Sequence, residues 1–135
     1  MRAIVMSLVS LSLVMLALPY AATADCGDRI VLSSTADGDA VAASGIAYVG
    51  SDEASMTQTF SVRVIAAVSD GTELLVFANG LQAGTVTIVG GMATLDLSAA
   101  NGALPAGVDP VCEIGPIWVT DAGQTTTLLL GPELN

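Results

Sequence analysis

After residue 25 the chain shows no long helical period, and turn signals recur at short intervals. Between the turns, apolar and polar residues alternate. In Gln58 to Ala67, for example, Phe60, Val62, Val64 and Ala66 fall on one face. Short alternating runs between turns are typical of an all-β sandwich or barrel. We therefore predict an all-β fold, a small antiparallel β-sandwich or barrel of seven to eight hairpin-connected strands.

Asn79-Gly80 is a strong signal for a two-residue hairpin, because a type I′ turn needs positive φ at both positions. In this hairpin we expect Leu75 to lie opposite Gly84, where the glycine leaves room for a large neighbour or a bulge. Phe77 then shares a core face with Leu75.

Gly90-Gly91 predicts a second two-residue hairpin, which would complete a three-stranded meander over residues 73 to 98. The register then matches apolar with apolar and polar with polar residues, and a slip of one residue would destroy that match. The predicted pairs are Ile88–Ala93, Thr87–Thr94, Val86–Leu95 and Thr85–Asp96.

Two prolines interrupt the extended segment from Asp109 to Thr120. Pro110 and Pro116 cannot donate to a ladder, so the segment is either an edge strand or is split in two. Beyond it, Asp121 to Gln124 predicts a type I turn with Gly123 in the left-handed region.

The first 24 residues have the pattern of a secretory signal peptide. Arg2 supplies a positive charge, Ala3 to Leu18 is an uncharged apolar run of 16 residues, and Ala22-Thr23-Ala24 offers a small-x-small cleavage site. The alternative is an uncleaved membrane anchor, but the run is shorter than the roughly 20 residues that span a bilayer. We predict cleavage and secretion to an extracellular or periplasmic location.

Removal of residues 1–24 from the 135 leaves 111, enough for a single secreted all-β domain at residues 25–135. This domain contains two basic residues, Arg29 and Arg63, and 13 carboxylates, which gives a net charge of −11. The chain has no lysine or histidine. Such a surface repels nucleic acid and anionic lipid. We therefore expect no nucleic-acid partner, and no membrane association after cleavage.

The missing residue types exclude much catalytic chemistry. Without histidine there is no Ser-His-Asp or Cys-His arrangement, and without lysine there is no Schiff base. The usual zinc and copper sites lose their commonest ligand. Carboxylate-only hydrolysis remains possible in principle, but a domain of this size seldom offers the cleft for it. We expect a protein that is not an enzyme and needs no cofactor.

Two cysteines in a secreted chain most simply form one bridge, here Cys26 to Cys112. This assignment rests on counting alone. The alternative is a reactive or intermolecular thiol.

Four short motifs resemble a recurrent pattern in uncharacterised small secreted bacterial proteins, F-S-V-x-V, V-x-V-N-G, V-G-T and G-x-x-x-L-x-L in that order. The corresponding residues are Phe60 to Val64, Val76 to Gly80, Gly84 to Val86, and Gly91 with Leu95 and Leu97. The resemblance covers about residues 41 to 131 and implies a small β-sandwich or barrel module with no particular activity. The chain departs from the pattern in its cysteine pair, at Ala78 and at Ala83.

Two groups of carboxylates have spacing that suits calcium, Asp37 with Asp39 and Asp52 with Glu53. Aspartate beside glycine, as in the Asp37-Gly38-Asp39 turn, is also an ordinary turn residue. No complete calcium loop is present, so the metal assignment is none.

Trp118 is one of four aromatic residues in the predicted mature chain and could form a sugar-stacking platform. Because Phe60 and Phe77 are expected in the core, too few aromatics remain for a carbohydrate surface. A core or rim role for Trp118 is favoured.

These observations predict a secreted, non-catalytic structural or interaction module of the cell-surface, matrix or adhesion type. Its expected partner is an unknown protein or a cell-surface polymer. The alternatives are a calcium-dependent or carbohydrate-binding module and, from a different class, a small carboxylate-based hydrolase.

Overall fold

The computed structural model describes residues 26–52, 54–98 and 104–132, so the predicted signal peptide at residues 1–24 lies outside the described residues. Within these ranges the chain forms eight antiparallel strands, one five-residue helix and one 3-10 turn, which confirms the predicted all-β fold. The elements are β1 (Cys26–Ser34), α1 (Ala36–Ala40), β2 (Ser44–Asp52), β3 (Thr57–Ile65), β4 (Glu73–Ala78), β5 (Leu81–Thr87), β6 (Met92–Ser98), the 3-10 turn (Val111–Glu113), β7 (Ile117–Asp121) and β8 (Thr127–Gly131).

The strands follow the order β5-β4-β7-β8-β1-β2-β3-β6 in a single, nearly closed sheet. β5 and β6 are its two ends. They meet where Val89 pairs with Met92 across the Gly90-Gly91 turn, with backbone hydrogen bonds of 3.0 and 3.3 Å.

β1 is the strand that joins the two halves of this sheet. From Cys26 to Leu32 it pairs with β2, and at Ser33 and Ser34 it pairs with Leu130 and Leu129 of β8. Among the described strands, β1 is therefore the one whose ladders connect the β2-β3-β6 side with the β8-β7-β4-β5 side.

The core fills the interior with alternate residues of each strand. In β3, Phe60, Val62 and Val64 are fully buried while Arg63 between them is exposed, as the alternation predicts. Leu129 and Val119 bury the equivalent positions on the opposite side. One apolar cluster connects both halves of the sheet.

The segment from residue 104 to 116 closes the interior instead of forming a surface loop. Its apolar side chains Leu104, Val108, Val111 and Ile114 are all buried, a role that the sequence analysis missed. The side chains of Gln58 and Asn79 hold the segment in place.

Gln58 accepts from Val111 N at 2.8 Å and donates to Asp109 at 3.0 Å. Asn79 donates to Gly107 O at 3.0 Å and accepts from Gly115 N at 2.6 Å. A hairpin residue thus also anchors a distant segment.

The two prolines divide the segment, as predicted, into the 3-10 turn after Pro110 and β7 after Pro116. The edge-strand alternative is wrong, because β7 lies between β4 and β8.

The meander predicted over residues 73 to 98 is wrong in its second hairpin, except at the Gly90-Gly91 turn. Gly90 and Gly91 both have positive φ, as the hairpin requires, but β6 leaves β5 and pairs with β3. Leu95 lies opposite Val62 instead of Val86 and packs its side chain against Gly84 of β5. With β3, β6 forms seven pairs.

The Asn79-Gly80 hairpin is confirmed at its turn, where Ala78 pairs with Leu81. A bulge between Val76 and Phe77 then shifts the register, so Gly84 faces Val76 instead of Leu75. Val76 and Ala78 point into the main core cluster. Phe77 is buried as predicted, but it lies outside that cluster and stacks on Trp118.

Cys26 and Cys112 form the predicted pair, with Sγ atoms 2.09 Å and Cα atoms 5.8 Å apart. The bridge fastens the first residue of β1 to the closing segment, 86 positions further along the chain.

Replacing both Cys26 and Cys112 with serine should lower the free energy of unfolding by up to about 4 kcal/mol, because closure of so long a loop restricts the unfolded chain. Urea denaturation of the oxidised protein and the double variant measures the difference. Equal midpoints would contradict a stabilising role for the bridge.

α1 is held against β8 by its N-cap and by a glycine. Thr35 caps the helix, since its Oγ1 accepts from Gly38 N at 3.1 Å and donates to Thr127 O at 2.5 Å. A Cβ atom at Gly38 would lie 2.0 Å from Leu128 O, so the close approach requires glycine.

Gly38→Ala should therefore lower the free energy of unfolding by about 1–3 kcal/mol, because either α1 or β8 must move. Gly27→Ala is the matched control, since a Cβ atom there meets nothing within 4 Å. Thermal unfolding of both variants would contradict the packing described if Gly38→Ala were as stable as Gly27→Ala.

Candidate functional site

The predicted calcium ligands lie at opposite ends of β2. Asp37 and Asp39 belong to α1, which precedes the first residue of β2, whereas Asp52 is its last residue. Eight steps of a strand separate these ends by about 27 Å. Glu53 lies outside the described residues. The structure therefore does not bring the two acidic groups together.

Two of these four carboxylates accept hydrogen bonds from neighbouring residues. Asp39 accepts a short hydrogen bond from the Ser34 hydroxyl, and Asp52 accepts from Ala54 N at 3.0 Å. Across residues 26–52, 54–98 and 104–132, no group of three or more Cys, Asp or Glu side chains is placed to hold a metal ion.

Other aspartates also stabilise turns and strand contacts. Asp70 accepts from Gly90 N at 2.8 Å and so ties together two turns at the same end of the sheet. Asp96 accepts from the Ser61 hydroxyl at 2.7 Å across β3 and β6.

Two open depressions mark the surface. One, of about 410 Å³, lies where β1 and β8 diverge and is lined by Val31, Ser33, Ser34, Thr35, Leu130, Gly131 and Pro132. The other, of about 350 Å³, is lined by Cys26, Gly50, Ser51, Asp52, Ser55, Thr57 and Thr59. Asp52 is the single carboxylate among these lining residues, so neither depression holds the carboxylate pair that glycoside hydrolysis uses.

Trp118 is half-buried on the outer face of the sheet. It lies opposite Phe77 in the β4–β7 ladder, and their rings are stacked with centroids 5.7 Å apart at 13°. This half-buried position agrees with the predicted core or rim role, and the indole has a partner within the chain.

The most distinctive surface is the outer face of β1, β2, β3 and β6. These four strands pair without a register shift, so their outward side chains align in rows across the sheet. One row is Arg29–Tyr48–Ser61–Asp96, and the next is Val31–Ile46–Arg63–Thr94. We call these eight residues, with Ile65 and Met92 beyond them, the arginine face.

The arginine face combines charge with exposed apolar area. Both arginines of the predicted mature domain lie on it, and its one carboxylate is Asp96. Tyr48 is 47% exposed and Val31 is 57% exposed. Arg63 donates from Nε and Nη2 to the Met92 sulfur at 3.2 and 3.1 Å, which places its guanidinium over the sheet.

The sequence analysis did not identify this face. Alternation in β3 correctly places Ser61 and Arg63 outward, but Tyr48 and Arg29 join them only through strand pairing. That pairing depends on α1 between β1 and β2 and on the non-local contact of β6 with β3, neither of which has a local sequence signal.

No protein-family model matches the chain, and a search of curated proteins finds no match. In the described part of the chain, no helix is long and apolar enough to cross a membrane.

Asp121 is the titratable group with the clearest perturbation. Hydrogen bonds from the Thr125 hydroxyl at 2.5 Å and from Thr126 N at 3.0 Å lower its pKa below the ordinary value of 3.8. The loop between β7 and β8 therefore extends to Thr126. Its left-handed residue is Gln124, with φ of 54°, and not Gly123 as predicted.

A lowered folded-state pKa stabilises the protein above the unfolded value near 3.8, and this contribution is lost as the pH falls through the folded value. Thr125→Val removes the largest cause. The stability gap between wild type and this variant should be greatest above about pH 5 and should shrink on acidification. Urea melts across this range would contradict the assignment if the gap were independent of pH.

Proposed function

We propose that the protein is an exported, non-catalytic interaction module that binds its partner through the arginine face. The observation that carries this proposal is the convergence of Arg29, Arg63 and Tyr48 with exposed apolar residues on one side of a strongly acidic domain. The partner expected from the sequence is a protein or a cell-surface polymer.

The composition of the face supports an interaction role. Protein interfaces are enriched in Arg, Tyr and Met and are depleted in Asp and Glu relative to other surfaces. The arginine face contains two Arg, one Tyr and one Met, with a single Asp. Tyr and Arg are also the residue types that most often dominate binding energy.

The strands beneath the face are well suited to presenting it. Tyr48 and Arg63 alternate with Ala47, Val49, Val62 and Val64, which are buried and so hold the strands against the core. A surface held in place before binding loses little conformational entropy on association. The bridge at Cys26 adds a covalent constraint to the first strand of the face.

Two features support a non-catalytic role. Asp39, Asp52, Asp70, Asp96 and Asp121 accept hydrogen bonds from nearby residues, so these carboxylates have structural partners. The two depressions lack a pair of carboxylates among their lining residues.

Export is supported by the signal-peptide pattern in residues 1–24 and by the cysteine pair, because disulfides persist in oxidising compartments.

The proposal is tested with the labelled mature protein and cell envelopes of the source organism. Saturable binding is expected, and Tyr48→Ala or Arg63→Ala should each weaken it by about tenfold or more, as loss of a central interface residue does. Leu81→Ala is the matched control, since Leu81 is 50% exposed and lies on β5, away from the face.

Equal loss in all three variants, or no loss in the two face variants, would contradict binding through the arginine face. Turnover of a substrate from a panel of glycosides and peptides, abolished by a single Asp→Asn change, would contradict the non-catalytic role.

A further inference from the structure

We infer that the partner of the arginine face is a second copy of the same chain, docked through the same face about a two-fold axis. This inference rests on the proposed function of the face and names the occupant. It is carried by the order of charges along one row of the sheet.

The row Arg29–Tyr48–Ser61–Asp96 runs directly across the four strands. It begins with a cation at β1 and ends with an anion at β6, and the two middle residues are uncharged. Three strand spacings separate the ends by about 14 Å. Ser61 donates to Oδ1 of Asp96 at 2.7 Å, which orients this carboxylate on the face.

A two-fold axis parallel to the strands, above the line between β2 and β3, reverses the order of the row. Arg29 of each copy then lies over Asp96 of the other copy, and Tyr48 lies over Ser61. The contact is self-complementary, as an isologous interface must be. It forms two identical charge pairs, one at each edge of the face.

The neighbouring row fits the same operation. Val31 of one copy meets Thr94 of the other, and Ile46 meets Arg63, whose aliphatic stem can cover an apolar neighbour while its guanidinium stays on the Met92 sulfur. No residue of these rows lies directly over a like charge, and the two Arg63 residues lie on opposite sides of the axis.

A second copy satisfies the charges of this face better than a polymer does. An anionic polymer over the arginines would also meet Asp96 at the opposite edge of the same row, and a neutral one would leave both edge charges unpaired. Only a surface with a cation and an anion at matching separation satisfies both edges, and this chain has that surface.

The expected affinity is modest. Four strands of about seven residues give a contact of at most a few hundred Å² per copy, less than the roughly 800 Å² of a standard interface. Repulsion between two acidic domains is screened beyond about 8 Å at physiological ionic strength. The short-range contacts of the face therefore determine whether the two copies associate. We therefore expect a dimer whose dissociation constant is roughly micromolar or weaker.

Sedimentation equilibrium of the mature protein at physiological ionic strength tests the inference. Arg29→Asp and Asp96→Arg should each weaken self-association by about tenfold or more, because each places like charges opposite one another. A mixture of the two single variants should associate at least as well as wild type, since one face is then acidic at both edges and the other basic. Glu73→Arg, on β4, is the matched charge control and should dimerise like wild type.

Thermal unfolding of each variant checks that the fold is retained. A wild-type protein that stays monomeric up to about 1 mM overturns the inference, and so does a dimer that Arg29→Asp and Asp96→Arg leave unchanged. Failure of the mixture to associate when each variant is folded overturns the two-fold geometry. If envelope binding still requires Tyr48 and Arg63 in any of these cases, the proposed function stands and only the second-copy assignment fails.

Discussion

β1 is the one strand that hydrogen-bonds to both halves of the sheet, and the remaining structure depends on this double pairing. Its first seven residues belong to the β2 side, and its last two reach β8. The switch lets a single core be enclosed by both halves, since Ile30 and Leu32 of β1 are buried between them. Without β1, no strand ladder would connect β2 with β8.

The start of β1 is fixed covalently and its end is fixed by α1. Cys26 bonds to Cys112 in the closing segment, and Thr35, directly after β1, bonds to the backbone of β8. The closing segment is in turn held by Gln58 and Asn79. A small domain with few aromatic residues thus uses a covalent bond and a few side-chain hydrogen bonds to complete a core made mostly of Val, Leu, Ile and Ala.

The two halves of the sheet differ in regularity, and this difference bears on function. Register shifts occur at Val76/Phe77 and at Val119/Thr120, both on the β8-β7-β4-β5 side. The β1-β2-β3-β6 side has none, so its outward side chains keep straight rows. The proposed function and the second-copy contact both depend on that regular alignment.

The sequence predicts the fold where the signal is local. Alternation in β3, the left-handed turn residues Asn79 and Gly80, and the count of two cysteines each correspond to a feature of the structure. Prediction from the sequence fails where strand pairing is non-local. The hydrogen bonds and packing that pair β6 with β3 leave no pattern in the residues of the β5–β6 turn. The stacking of Phe77 on Trp118 was equally hidden, since the two residues lie 41 positions apart. The arginine face could not be predicted for the same reason.

Native-state hydrogen exchange tests most directly whether β1 makes one cooperative unit of both halves. The buried amides of Val62 in β3 and Val119 in β7 report on the two sides of the sheet. If β1 joins the two halves into one unit, both amides should exchange, as urea increases, through an opening with the free energy of global unfolding. If one side opened at a clearly lower free energy while the other stayed protected, the halves would be independent, and the central role of β1 would be contradicted.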